Sequence, residues 1–357
     1  MVRLVTIGLV LLLPSPAVAT ELTVAGTPAR TEIETKLAYE GTQFSLGRLQ
    51  QVLSRSLTEK LQTTTFQLPE VVGRQYRFET AFKPFVFRDI YFDTEDHKIL
   101  HSAGAYRLRY RWSRADFYNL HRWFPSAKTF FPTRCEIQYK ADYRLSKSQH
   151  GLLATETRFE FRQESEPFLS TGQSPPPAPW PEPEYRQMAQ TGRFQDYHMI
   201  PHHKLTATIG PAQLLPQVEV TTRRARLHFN MKNPWGSGPN PDQVFIVSLD
   251  QVEANRKGEG FLPVSFVEIE VEIDRNILTQ LERMAKLATD ADEDRIGFAA
   301  QEFSQQTLKA ALHDQDQLKS LIDATIRAEF GSKALPVQYK YRRIMAKTSG
   351  QKNQPSL

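Results

Sequence analysis

Beyond Leu13 the chain has no apolar run approaching the roughly 20 residues that a membrane-spanning helix requires. It has one cysteine, Cys135, so no intrachain disulfide can form and a disulfide-stapled scaffold is excluded. No segment repeats. No cysteine follows the small residues at 17–19, where a lipid anchor would need one. The adjacent pair His202-His203 lacks the spaced partners of a zinc site and reads as an exposed loop pair.

What is present begins with the first nineteen residues. Met1-Val2-Arg3 is a short positive start, Leu4 to Leu13 is apolar apart from Thr6 and Gly8, and Ala17-Val18-Ala19 has the small-x-small form of a cleavage site. This pattern predicts a secretory signal over 1–19 and an exported, periplasmic or secreted, soluble product. A single thiol fits that reading as a small buried apolar residue. The formal net charge of +5 suits an anionic ligand. At this level a nucleic acid or an anionic membrane would fit equally.

Charge alternates with apolarity in short segments, and side chains along a strand point to opposite faces at every second residue. Glu32, Glu34 and Lys36 share one face, with Ile33 and Leu37 on the other. Arg107, Arg109 and Arg111 oppose Leu108 and Tyr110. Glu136, Gln138 and Lys140 oppose Ile137 and Tyr139. Glu156, Arg158, Glu160 and Arg162 oppose Phe159 and Phe161. Arg224 and Arg226 oppose Leu227, and Glu268, Glu270 and Glu272 oppose Val267, Ile269 and Val271. Any one such segment is an ordinary amphipathic strand with its charges in water. Together they place dense runs of both signs on strands far apart in sequence, as the lumen of a barrel that binds a polyanion through a metal would need. The apolar faces then point outward and must be covered by helices. Leu46–Leu61, Asn276–Ala288, Gln301–Leu312 and Gln315–Phe330 supply the helical period, with Ser45 as an N-cap and Gly331 as a stop.

Two stretches stand outside that framework. Trp112–Pro132 is crowded with aromatics, a packed insertion or a partner surface. Gln163–Pro183 is rich in Pro and Ser and reads as an extended loop, the insertion reaching to about 200.

The segment Glu32-Ile33-Glu34-Thr35-Lys36 resembles the ExExK signature of the CYTH superfamily, the triphosphate tunnel metalloenzymes. Tyr91-Phe92-Asp93-Thr94, Leu100 and Gly104-Ala105-Tyr106-Arg107-Leu108-Arg109 are similar, in order, to its next block. Val247-Ser248-Leu249-Asp250 and Phe266-Val267-Glu268-Ile269-Glu270 resemble its paired acidic strands, and Tyr339-Lys340-Tyr341 its terminal element. Gln138, where many relatives have Thr, and the long spacing from Gly260 to Glu268 depart from the pattern.

The resemblance implies a closed eight-stranded antiparallel β-barrel in an α+β, mainly β, chain. The tunnel domain would span 20–344, with a helical segment at about 275–331 and a polar tail at 345–357. It implies catalysis by Glu32, Glu34 and Lys36. Substrate phosphates would be held by Lys36, Arg107, Arg109, Lys140, Arg224, Arg226 and Lys340. A hard cation, Mg²⁺ or Mn²⁺, would sit on Glu32, Glu34, Asp250, Glu268 and Glu270. The expected reaction is metal-dependent hydrolysis of a phosphoanhydride in inorganic triphosphate, polyphosphate or a nucleoside triphosphate. A polyphosphate polymerase and a non-catalytic polyphosphate-binding protein are the alternatives. No nucleic-acid partner is expected, and a protein partner could use the aromatic insertion. Export disfavours a cyclase acting on cellular ATP.

The leader reading has a direct check. Intact mass of the exported protein should show loss of the first nineteen residues, giving a chain that begins at Thr20; recovery of only the full-length chain from the cytoplasm would refute it.

Overall fold

A computed structural model describes residues 30–40, 44–74, 76–124, 132–148, 151–164, 201–231, 243–255, 264–275, 277–281 and 295–348. The leader, the Pro-rich stretch 165–200 and the segment 125–131 lie outside the described residues.

Alternation produces eight strands: β1 (Arg30–Glu40), β2 (Arg77–Asp93), β3 (Ala105–Trp112), β4 (Arg134–Ser148), β5 (Gly151–Glu164), β6 (Leu215–Asn230), β7 (Gln243–Asn255) and β8 (Val264–Ile273). Every pairing is antiparallel. The order β1-β5-β4-β3-β2-β6-β7-β8 returns from β8 to β1, so the ladder is a closed barrel with no free edge. Register sets the faces: Leu37 sits opposite Ile269 on β8, and Lys36 opposite Glu270. A slip of one residue would exchange those faces.

The apolar faces point outward. Leu37, Leu249, Ile269 and Val271 join one cluster with α1 (Leu46–Leu61) and α6 (Arg295–Phe330). Leu108, Ile137 and Tyr139 join a second with Trp112 and Tyr118 of α4 (Ala115–Trp123) and with Leu205 of α5 (Pro201–Ile209). Helix α1 has the predicted bounds, and Ser45 Oγ accepts from Arg48 N at 3.3 Å. The short helices α2 (Gln67–Val72) and α3 (Lys98–His101) lie at the two ends of β2. No helix among the described residues is long and apolar enough to cross a membrane.

The sequence reading differs from the structure in several places. The segments 301–312 and 315–330 form one continuous helix, α6. His313 and Asp314 do not interrupt it, because Asp314 turns outward as a tie. It accepts from the backbone N of Gln67 and Leu68, at 2.7 and 2.9 Å, and from the Tyr76 hydroxyl at 2.8 Å. The helix ends at Gly331, whose φ of 64° is the left-handed turn that favours glycine. Of Asn276–Ala288, only 277–281 is described, and it is helical. The polar tail expected from Met345 begins later, because α7 (Lys340–Thr348) carries Ile344 and Met345 buried against β8 residues. The aromatic insertion is split. Trp112 is buried in β3 and meets Tyr118 edge-on at 5.0 Å, whereas Trp123 is 77% exposed.

Ile322 of α6 is fully buried against the outer face of the barrel. Ile322→Ala should cost about 2–5 kcal/mol of stability by chemical denaturation, without changing the charge of the lumen.

Candidate functional site

Inside the barrel lies a cavity of about 260 Å³. Glu32, Glu34 and Lys36 reach it from β1, Arg107 and Arg109 from β3, Lys140 from β4, Arg224 and Arg226 from β6, Glu270 from β8 and Lys340 from α7. Asp250 and Glu268 lie just behind its wall, both fully buried. All twelve predicted site residues therefore converge on one lumen or on its lining. Among the described residues that line it, ten are cationic and six are carboxylates, with Asp89, Asp250 and Glu268 paired to the cations from behind.

The charges are sorted by strand. Arginines dominate β3 and β6, and carboxylates dominate β1 and β8. On β3, Arg109 forms a bidentate pair with Asp89 at 2.7 Å through both Nε and an Nη. Arg107 donates to Asp89 at 3.2 Å, to the Tyr91 hydroxyl at 3.0 Å and twice to Gln138 Oε1, at 2.9 and 2.6 Å. Gln138, the departure from the family pattern, thus serves as an acceptor that orients Arg107. It passes the contact on by donating to Glu136 at 2.5 Å.

On the acidic side, one oxygen from each of Asp250, Glu268 and Glu270 lies within 4.8 Å of the others. Arg224 bridges two of these groups, donating to both oxygens of Asp250, at 2.5 and 2.6 Å, and to Glu270 at 2.8 Å. Lys340 Nζ sits 2.6 Å from Asp250 and 3.0 Å from Glu268. Burial pushes the Glu270 pKa up, but Arg224 first and then Lys340 and Lys36 outweigh it and hold the carboxyl well below its usual range. Burial likewise opposes the Lys340 ammonium, and Asp250 and Glu268 overcome it and raise its pKa. Glu34 pairs with Lys36 at 2.6 Å, and Glu32 with Lys140 at 3.4 Å. Both line the cavity from β1, outside the three-carboxylate cluster.

The donor set fits a hard divalent cation. Three carboxylate oxygens converge, the ligand type that such ions prefer, and Glu268 Oε2 is buried without a hydrogen-bond partner among the described residues. A buried carboxylate oxygen left without a donor is costly unless a cation is meant to meet it.

Several lumen residues escaped the sequence reading, Asp89, Phe85 and Phe87 among them. Asp89 is fully buried. Phe85 and Phe87 also face inward: Arg109 stacks on the Phe87 ring at 4.2 Å and Arg111 on the Phe85 ring at 4.2 Å. The register of β2 shifts between Ala81 and Phe85 and between Tyr91 and Phe92, so simple alternation cannot be carried along it. The available signal was the two-residue spacing from Asp89 to Tyr91. Asp93 does not line the cavity. It accepts from the backbone N of Thr94, Ile99 and Leu100 and fixes the turn into α3. That turn brings Gly104 so close to Ile99 and to the Lys140 carbonyl that an added Cβ would lie 3.2 Å from each.

A family profile described as the CYTH domain matches residues 30–291. No curated protein sequence matches the chain. Among solved structures, the chain is similar to HpAC1 from Hippeastrum, reported with a dominant triphosphatase activity. The identity is 17% over 71% of this chain and 86% of that one, with a TM-score of 0.34. It is also similar to the S. pombe Pct1 RNA triphosphatase (11% identity, 79% and 84% covered, TM-score 0.30). A third is the Mimivirus capping-enzyme triphosphatase (12% identity, 75% and 93% covered, TM-score 0.27).

Asp89 anchors the basic wall, and its removal has a pH signature. Burial raises its pKa, but Arg109 and then Arg107 overcome this and hold it at about 2. The unfolded value is about 3.9. A depressed folded-state pKa contributes stability that is complete above about pH 4 and is lost as pH falls toward about 2. Asp89→Asn should therefore cost about 3–5 kcal/mol at neutral pH, by stranding two arginines. It should also flatten the acid limb of the stability profile between those values, as measured by denaturant unfolding across pH.

Proposed function

The chain belongs to the CYTH domain family, and from that premise we propose that it hydrolyses a phosphoanhydride bond of inorganic triphosphate, polyphosphate or a nucleoside triphosphate with the help of Mg²⁺ or Mn²⁺. The observation that carries this reading is the sorting of charge within one enclosed lumen, with carboxylates converging on one wall and guanidiniums facing them from another. A polyphosphoryl chain lying between those walls meets donors for its non-bridging oxygens along its length.

Asp250, Glu268 and Glu270 would hold the cation, with Glu32 and Glu34 available from the neighbouring strand. A cation held there would supply neutralisation of phosphoryl charge. The remaining chemistry belongs to the protein. Arg107 and Arg109, fixed by Asp89 and stacked or hydrogen-bonded in place, present guanidinium edges to successive phosphates at little reorganisation cost. Lys36 and Lys140 add point charges from the facing strands. Glu34 accepts the proton that water gives up as its oxygen bonds to phosphorus and the bridging P–O bond breaks. The leaving phosphate departs toward the arginines. Lys340, held between Asp250 and Glu268 and lining the cavity, would add a further positive charge beside the phosphates. On the N-terminal pattern we place this activity outside the cytoplasm, where condensed inorganic phosphates are the more accessible substrates.

Two substitutions separate the walls. Glu270→Gln keeps the volume but removes an anionic ligand. It should lower turnover of tripolyphosphate by at least about 100-fold at ordinary metal concentration, with partial recovery at high Mn²⁺. Arg109→Ala should cause a loss of similar size in kcat/KM that added metal does not repair. Thermal unfolding of both variants is measured alongside, since each breaks a buried pair. A wild type inactive on all three substrate classes, yet binding polyphosphate, would instead identify a binding protein.

A further inference from the structure

Helix α6 turns one stripe of side chains toward the barrel. Ala311, Leu318, Ile322 and Ile326 fill that stripe and are buried in the cluster that covers β1 and β8. Gln315 falls on the same stripe, between Ala311 and Leu318, where the period calls for an apolar residue. It has no exposed surface. A buried amide is costly unless its hydrogen bonds are made, so its partners hold the reason for its presence.

The Gln315 amide nitrogen donates to two backbone carbonyls on different strands. Nε2 lies 3.2 Å from the Ile33 oxygen on β1 and 2.7 Å from the Val271 oxygen on β8. Both partners are acceptors, which fixes the end of the amide that faces the sheet. Each carbonyl belongs to a residue flanked by inward carboxylates. Ile33 lies between Glu32 and Glu34, Val271 lies between Glu270 and Glu272, and all four carboxylates line the cavity. The preceding residue, Asp314, is held by Gln67, Leu68 and Tyr76, so the helix presents the amide from a fixed backbone.

The place it clasps is a fork. Strand β1 pairs with β5 from Arg30 to Glu34 and with β8 from Glu34 to Glu40. Glu34 opposite Glu272 is therefore the last rung of the β1–β8 ladder, and it sets two carboxylates face to face on the lumen side. Like charges in that position push strands apart. From inside, the Lys36 ammonium counters this, 2.6 Å from Glu34 and 3.5 Å from Glu270. From outside, the Gln315 amide crosses the same rung, joining the residue just beyond it on β1 to the residue just before it on β8. Gln315 Oε1 is buried without a hydrogen-bond partner among the described residues. An amide whose own acceptor is unmet adds little net stability, so its contribution is to geometry.

We propose that Gln315 is a positioning residue for the divalent cation: by closing this fork from outside the barrel it holds the β1 carboxylates in place against those of β8. The inference rests on the cation reading above and adds to it a residue that touches neither ion nor phosphate. Outer groups that fix ligands govern metal affinity by about 10–100-fold. The arginines of β3 are separated from the fork by intervening strands, so anion binding alone should not register the loss of the amide.

The test uses two substitutions in the whole protein. Gln315→Met keeps the side-chain length without the donor, and Gln315→Leu suits the apolar stripe. Mn²⁺ affinity is measured by calorimetric titration in the absence of phosphate, and tripolyphosphate affinity is measured in chelator. Both variants should unfold within about 5 °C of the wild type. They should bind Mn²⁺ at least about tenfold more weakly and tripolyphosphate within about threefold of the wild type. The Mn²⁺ concentration for half-maximal turnover of tripolyphosphate should rise in step, while kcat at saturating Mn²⁺ stays within about threefold. A purely structural residue would instead lower stability or kcat and leave the Mn²⁺ affinity of the folded protein unchanged. The inference is overturned if either variant binds Mn²⁺ as the wild type does, if both affinities fall together, if neither variant folds, or if the wild type binds no Mn²⁺. A wild type whose Mn²⁺ affinity depends on Gln315 but which hydrolyses no phosphoanhydride would refute the proposed reaction and uphold this inference. An active enzyme whose Mn²⁺ affinity is indifferent to Gln315 would do the reverse.

Discussion

Ionised side chains taken out of water must be answered by opposite charge, by hydrogen bonds or by a ligand, and the lumen is arranged around that requirement. Asp89 has no exposed surface, and two arginines are built around it. Asp250 stands in the same relation to Arg224 and Lys340. Such pairs do not stabilise a fold in proportion to their number, since desolvation offsets much of the Coulomb gain. The free energy that holds the barrel closed comes instead from its exterior, where Leu37, Leu249, Ile269 and Val271 meet α1 and α6. The inverted barrel and its helical coat are therefore one solution. Charges can face inward only because helices cover the apolar side.

That coupling explains what could be read from the amino-acid order. Strands β1, β3 and β8 alternate cleanly, so Glu32, Arg107, Arg109 and Glu270 could be assigned to one interior face, and the helices over Leu46–Leu61 and 301–330 had to exist to cover the other. Strand β2 was opaque because two register shifts break its period and because aromatics occupy both faces. Phe92 packs outward and Phe87 inward, and Arg88 forms an outer pair with Glu219 at 2.7 Å while Asp89 faces in. Continuity of α6 was hidden for a different reason. Asp314 looks like a break in a helical pattern, and its partners, Gln67, Leu68 and Tyr76, are some 240 residues away in sequence. Local propensity carries no record of such a tie.

Lys340 shows how the same constraint joins the two ends of the chain. Its Nζ lies between Asp250 and Glu268, where a divalent ion would meet the same oxygens. Arg224 shares Asp250 with this ammonium, and one oxygen of Glu268 is left without a donor among the described residues. An ion of higher charge would satisfy the cluster more fully and release the lysine. Lys340 opens α7, and the next residue, Tyr341, is stacked on Tyr91 and bonded to Asp93 at 3.2 Å. Asp93 in turn holds the turn that precedes β3 and its arginines. Lys340 therefore belongs to a helix already tied to the turn before the strand that carries Arg107 and Arg109. The carboxylate wall and the arginine wall are thus joined through stacked rings and one buried carboxylate.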